Sequence, residues 1–291
     1  MKKLLLLSGK GGTGKTTAAA AFTRFAQAKA VADCDVDAPN LHLVTEQTAE
    51  PLVSRFMGGD KAVIDPDLCI GCGTCQKHCR FDAVVEKNDI FFINEYACEG
   101  CGVCTYVCPQ DAVRLMPDVA GRKELYLQEG ESVFSTAVLK MGRGNSGKLV
   151  TDVKMDMLKH APDTELAIID GSPGIGCPVI ASVSGMDLAL VVAEPSLSGI
   201  SDLKRLAKTA GTLQAKLAVC VNKWDVSPEN TRAIQSFCEE TGIHFAGVIP
   251  YDKNASRAIN EGRSLADIDC PARDALQAVF QEVCNLLHLS E

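Results

Sequence analysis

The chain lacks the features that would assign it to a membrane, a nucleic acid or an export route. No stretch reaches the ~18 to 20 apolar residues needed to cross a bilayer, which excludes a transmembrane helix. There is no basic excess: 29 Lys and Arg stand against 37 Asp and Glu, a net charge of −8. Such a balance disfavours non-specific attraction to nucleic acid or anionic lipid. The opening MKKLLLL gives way after four leucines to a Gly and Lys loop, too soon for the apolar core of a signal peptide. It reads instead as a first strand, and the cytoplasm is the expected compartment. The terminal RDALQAVFQEVCNLLHLSE is amphipathic with almost no Lys or Arg on its polar face, so it is expected to pack on a sheet and not on a lipid surface.

What is present is a long run of α/β pattern. At 291 residues and 46% apolar content, the chain can bury the core of one large domain or two. KLLLL, AVADCD, LAIID (166–170), LALVVAE (188–194), KLAVCVN and FAGVIP have the near-continuous hydrophobicity of parallel strands covered on both faces. Helical stretches at 16–29, 201–213 and 229–240 supply the crossovers a parallel sheet requires. The fold expected is α/β with a mostly parallel sheet. Residues 59–117 interrupt it, and within them ACEGCGVCTYVCPQDAV repeats LCIGCGTCQKHCRFDAV. We read this as a duplication inserted into a split domain, with 1–58 and 118–291 as its two parts and 59–117 as the insert.

The stretch SGKGGTGKTT contains Gly9-x4-Gly14-Lys15-Thr16, a phosphate loop in its proper place between a strand and a helix. Residues Gly9, Gly11, Gly12, Thr13 and Gly14 let backbone N–H groups close around phosphate oxygens. Lys15 reaches the terminal phosphates, Thr16 can ligate magnesium, and Thr17 continues the helix N-terminus that favours anions. Lys10, a second lysine in the loop, has no evident role at the loop's own phosphates.

With that lysine the loop KGGTGKT (10–16) resembles the deviant loop of the MinD, ParA and nitrogenase-iron-protein superfamily. The resemblance implies ATP or ADP with Mg²⁺ as ligand, slow ATP hydrolysis, and a nucleotide-sandwich dimer in which Lys10 reaches the partner's phosphates. It covers residues 1 to about 58 and 118 to 291. DCDVDAPN (33–40) is similar to the family's first switch, which implies that Asp35 orients or deprotonates the attacking water and that Asp33 supports the magnesium shell or caps the turn. IIDGSPG (168–174) ends a strand in Asp170, placed like a Walker B carboxylate near Mg²⁺ through water, followed by a second switch. In VNKWD (221–225), Asn222 matches the family's adenine-contacting asparagine.

Of fourteen cysteines, eight fall between Cys69 and Cys108. Cys69-x2-Cys72-x2-Cys75-x3-Cys79 recurs as Cys98-x2-Cys101-x2-Cys104-x3-Cys108-Pro109, the run of two-cluster bacterial ferredoxins. In that arrangement the fourth cysteine of each run ligates the other cluster. Cys69, Cys72, Cys75 and Cys108 are therefore expected to hold one 4Fe-4S cluster, and Cys98, Cys101, Cys104 and Cys79 the second. Zinc fits the doubled spacing poorly. Arg80 stands where proline usually follows the fourth cysteine and adds an N–H and a positive charge beside that ligand. Cys177, seven residues after Asp170, sits where the nitrogenase iron protein carries a ligand to its bridging cluster, but 140–148 supplies no second cysteine. It is read as a metal ligand, a reactive thiol or a packed small residue.

The whole resembles MinD-superfamily ATPases with an inserted ferredoxin domain. The resemblance implies a homodimer, or a heterodimer with a related subunit, and a redox or metal-cluster partner protein, without nucleic acid or membrane. Electron transfer coupled to ATP is the leading expectation. The alternatives are an electron carrier with a structural nucleotide, an iron-sulfur or heterometal cluster assembly ATPase, and a positioning ATPase.

Overall fold

The computed structural model describes all residues except 46, 48, 89, 129, 130, 145, 290 and 291. It divides into two compact units, one of Met1–Val53, Lys123–Val138 and Ser146–Glu291, the other of Ser54–Arg122 and Leu139–Asn145. The second unit is thus wider than 59–117 at both ends and takes in a separate short stretch beyond residue 138.

In chain order the strands and helices are β1 (Lys2–Leu7), α1 (Lys15–Phe25), β2 (Ala30–Asp33), β3 (Leu52–Met57), β4 (Lys61–Ile64), α2 (Thr74–His78), β5 (Val84–Lys87), β6 (Ile90–Ile93), α3 (Val103–Val107), β7 (Val113–Met116), β8 (Val119–Gln128) and β9 (Ser132–Leu139). They continue with α4 (Ser146–His160), β10 (Leu166–Asp170), α5 (Cys177–Val183), β11 (Leu188–Ala193), α6 (Leu197–Thr212), β12 (Leu217–Asn222), α7 (Pro228–Thr241), β13 (His244–Ile249), α8 (Lys253–Asn260) and α9 (Pro271–Leu287). The main sheet has the order β13-β12-β11-β1-β10-β2-β9-β8-β3. Every pairing from β13 to β9 is parallel.

β10 and β11 are buried throughout, and β1 is buried from Leu4 to Leu7, because helices cover both of their faces. One face is covered by α1, where Ala18 to Ala21 let the helix approach closely and Phe22 fills the remaining volume with no exposure. Leu276, Val279, Val283 and Leu287 of α9 recur every three or four residues and lie in the same core, so the stripe expected at the C-terminus packs on the sheet. Of the expected amphipathic stretch, residues 290 and 291 lie outside the described residues.

Helix bounds depart from the sequence reading where local hydrogen bonds override apolar period. α6 begins four residues before 201, because Ser196 Oγ accepts the Gly199 N–H at 3.1 Å and starts the helix there. α1 stops before Gln27, which adopts a positive φ of 46°. The long strands β8 and β9 went unforeseen, although SVFSTAVL is buried along most of its length.

The second unit contains two antiparallel pairs, β4 with β7 and β5 with β6, and the short helices α2 and α3. Its small cores include six of the eight clustered cysteines together with Ala62, Ala83, Val84 and Phe91. Leu139–Asn145 joins this unit through Arg143, whose guanidinium pairs with Glu95, lies 2.9 Å from Asp118 and sits 5.5 Å from the Tyr96 ring centroid.

In the first unit Lys154 of α4 is buried, and its ammonium donates to the carbonyls of Ala181, Ser182 and Ser184 at 2.6, 3.0 and 2.7 Å. It thereby satisfies the C-terminal carbonyls of α5 that have no helical partner. Burial pushes its pKa down, and those carbonyls offset the cost of its charge. Replacing Lys154 by Met leaves them without donors and should cost about 1–3 kcal/mol, read as a lower urea midpoint at unchanged slope.

Candidate functional site

The first site is assembled at the carboxyl ends of the parallel strands, where α/β sheets place their ligands. After β1 the chain turns through Gly12 and Gly14, both at positive φ (80° and 94°), into α1. Gly14 is required twice over: its φ disfavours a side chain, and a Cβ there would stand 2.3 Å from Asn222 Nδ2. The loop borders a cavity of about 540 Å³. Gly11 to Thr17, Asp35, Ser172, Asn222, Tyr251 and Ile259 are among the residues that line it.

Asp170, at the end of β10 and without solvent exposure, is the hub. One oxygen receives Lys15 Nζ at 2.5 Å and the other the Thr16 hydroxyl at 2.6 Å. Burial works against the charge on Lys15, but Asp170, with Asp35 and Asp33, outweighs it and holds the pKa above its ordinary value. The main chain of Asp170 also accepts the Cys34 N–H at 2.7 Å, and Ser172 Oγ donates to the Cys34 carbonyl at 2.5 Å. The two expected switch segments are therefore bonded to each other. Gly174 N–H donates to the Ser8 carbonyl at 2.9 Å, tying the second segment to the loop as well.

Asp33 is fully buried and accepts three backbone N–H groups, from Asp35 at 3.0 Å, Asn40 at 3.0 Å and Leu41 at 2.9 Å. Its place in the molecule is that of a carboxylate folding the 33–41 turn, and the cavity wall is formed by Asp35, Asp37 and Asn40 instead. Burial, with Asp170 close by, pushes its pKa up to about 7 against the pull of those N–H donors. Asp35 is half-buried on the cavity wall, and burial raises its pKa to about 6 although Lys15 draws it down.

Asn222 lines the cavity, yet both ends of its carboxamide are engaged by the chain. Nδ2 donates to the Thr13 carbonyl at 2.7 Å, and Oδ1 accepts the Lys223 N–H at 2.9 Å. It clamps the loop. Lys10 turns away from the cavity lining and forms an ion pair with Glu194 at 2.6 Å, with Ser198 Oγ at 3.3 Å. That hydrogen bond holds the Glu194 carboxyl below its usual range. Glu194 and Lys154 had no role in the sequence reading, and Ser172 stood there only as part of the second switch: each acts through a contact with a residue far away in the chain.

The second site lies within the duplicated unit. Cys69, Cys72, Cys75 and Cys108 border one small cavity, and Cys79, Cys98, Cys101 and Cys104 border another. Backbone N–H groups point at three of the sulfurs: Ala62 to Cys98 at 3.5 Å, Ala83 to Cys79 at 3.4 Å and Ala112 to Cys108 at 3.3 Å. Burial raises the thiols of Cys75 and Cys104, and neighbouring cysteines of the same cavity add to the shift. Among the described residues, no three His, Cys, Asp or Glu side chains are grouped to hold a metal ion. Cys177 is exposed at the start of α5, with Gly147 closely packed on it: a Cβ on Gly147 would lie 3.4 Å from the Cys177 Cβ. No helix among the described residues is long and apolar enough to cross a membrane.

Comparison with known proteins agrees with this geometry. The chain is 34% identical over 286 residues to the uncharacterized protein MJ0578 of Methanocaldococcus jannaschii, covering 97% of this chain and 96% of that protein. It is 27% identical over 153 residues to the cytosolic Fe-S cluster assembly factor NBP35 of Eremothecium gossypii, which covers 46% of this chain and 44% of the other. Its fold is similar to the septum site-determining protein MinD of Pyrococcus horikoshii complexed with Mg-ADP, with a TM-score of 0.56, 16% identity, and 98% and 97% of the two chains covered. A family model, the CobQ/CobB/MinD/ParA nucleotide binding domain, matches residues 4–265. The phosphate loop, the buried carboxylate behind it and the parallel sheet that presents them place this chain in the CobQ/CobB/MinD/ParA nucleotide-binding family.

Proposed function

We propose that the protein is a Mg-ATP-hydrolysing, dimer-forming iron-sulfur protein in which nucleotide turnover is coupled to one-electron transfer through two 4Fe-4S clusters. The observation that carries this reading is the sorting of the eight clustered cysteines into two cavities of four, each drawing its fourth thiol from the other half of the duplication. A cubane spreads four thiolates over separate iron atoms, so its ligands border a pocket, whereas zinc draws four sulfurs to about 2.3 Å from one point. The N–H groups aimed at sulfur support charged thiolates in these pockets. Such clusters, when bound, supply one-electron redox chemistry.

At the first site Thr16 and Asp170 are the residues suited to hold Mg²⁺, directly and through water, and Lys15 with the loop N–H groups to hold the phosphates. Asp35 activates or orients the water from the cavity wall. The apolar wall of Ile249, Pro250, Tyr251 and Ile259 suits a nucleobase. Lys10 leaves Glu194 to reach the partner subunit's nucleotide when the dimer closes. Coupling follows the order of the chain: the second unit enters after the 33–41 turn, and Leu139–Asn145 leads straight into α4, whose Lys154 holds α5 behind the second switch.

A second reading is cluster assembly or delivery. It is favoured by the partial match to the Fe-S cluster assembly factor and by the exposed Cys177. Transfer of iron to an apo acceptor that requires Cys177 would select it over electron transfer.

Anaerobically purified protein should contain about eight iron and eight sulfide per chain and show interacting reduced clusters by EPR. Zinc, or iron below half that content after reconstitution, removes the cluster reading. Lys10→Ala should abolish sedimentation as a dimer in a non-hydrolysable ATP analogue while leaving nucleotide binding within about threefold; persistence of the dimer contradicts the cross-subunit role. Asp35 must be ionised to accept a proton, so kcat/KM should fall as pH drops through about 6, and Asp35→Asn should lower kcat about 10²-fold or more and remove that limb.

A further inference from the structure

The duplication provides an internal control on its own surface. α2 and α3 share one backbone: each starts after a glycine at positive φ (Gly73, 68°; Gly102, 77°) and ends at a cysteine with φ −77° and ψ 116°. Each is followed by an aspartate at positive φ, Asp82 at 49° and Asp111 at 50°, and by an alanine whose N–H donates to that cysteine's sulfur. Whatever the fold demands of one copy it demands of the other. Surface chemistry nevertheless differs: Lys77, His78, Arg80 and Phe81 stand where the second copy has Tyr106, Val107, Pro109 and Gln110.

The positive charge around Cys79 is thus not a requirement of the turn. Lys77, His78, Arg80 and Phe81 are all exposed, and residues 68–81 contain no acidic side chain in a chain of net charge −8. Among the described residues neither Lys77 nor Arg80 has an ion-pair partner, while His78 Nδ1 meets the Thr74 carbonyl at 2.9 Å. Asp82, the nearest carboxylate in the chain, belongs to the turn common to both copies. Phe81 lines the cavity bordered by Cys79, Cys98, Cys101 and Cys104, so an aromatic ring exposed to solvent is also a wall of that pocket; Glu99, also exposed, is the one carboxylate among the residues lining it. An aromatic centre with a basic rim has the composition of a protein interface.

We infer that this surface docks an acidic electron-carrier protein over the pocket of Cys79, Cys98, Cys101 and Cys104. In the exchange the carrier loses one electron and the group held by those thiolates gains it, and no bond is made or broken. The basic rim speeds encounter and fixes orientation. This inference rests on the cluster reading above.

The test uses anaerobically purified holoprotein titrated with an acidic [2Fe–2S] ferredoxin by calorimetry, at low and at 300 mM salt, with iron and sulfide counted in every sample. Binding should weaken roughly tenfold or more with salt, and the double variant Lys77→Glu, Arg80→Glu should weaken it by a similar factor at low salt. Tyr106→Glu, at the equivalent position of the second copy, should leave it unchanged. Iron-replete protein that does not bind the ferredoxin, a double variant that binds like the parent, or equal losses from both helices overturns the docking site alone. A parent protein without iron overturns the cluster reading and this inference together.

Discussion

The first site depends on one buried carboxylate. Asp170 has no access to water, and an isolated charge there would be prohibitively costly. It is tolerated because Lys15 and Thr16 meet its two oxygens; separately, its main-chain carbonyl accepts the Cys34 N–H. The phosphate loop, the turn after β2 and the segment after β10 are consequently parts of one hydrogen-bonded assembly. In the proposed function, a nucleotide with its metal competes for Lys15 and Thr16 and so redistributes the bonds at Asp170. That residue also anchors the two segments expected to switch, so occupancy of the loop and the conformation of both segments are linked by contact.

Asp33 and Asp35, two residues apart, divide the work of the 33–41 turn. Asp33 is spent inward on three N–H groups, and this fixes where Asp35 stands. Asp35 remains on the cavity wall with a pKa near the range in which a carboxylate can take a proton. The same side chain is thus buried in the turn at position 33 and left facing the cavity at position 35. Lys10 and Lys15 part in the same way: Lys15 is buried against Asp170, whereas Lys10 is held outward by Glu194.

The sheet and its helices were legible because buried parallel strands leave continuous apolar runs and because the loop glycines have steric reasons to be there. The cysteine groups were legible because spacing in a short duplicated segment is itself a geometric statement. Other parts were hidden for a physical reason. Lys154, Glu194 and Ser172 act on groups distant in sequence, and a lysine in a helix looks the same whether it faces water or three carbonyls. The recruitment of Leu139–Asn145 into the second unit rests on Arg143, whose partners Glu95 and Asp118 lie well upstream. Asn222 was expected from its motif to contact adenine; it lines the cavity, but its hold on Thr13 could be seen only once the strand end and the loop stood side by side.

The central claim is that the nucleotide site and the cysteine pockets respond to each other. Potentiometric EPR titration of the iron-replete protein, in Mg-ADP and in Mg²⁺ with a non-hydrolysable ATP analogue, tests it most directly. The account predicts midpoint potentials that differ between the two nucleotides and that become equal in Lys10→Ala. Superimposable titrations of the parent protein in both nucleotides would contradict it.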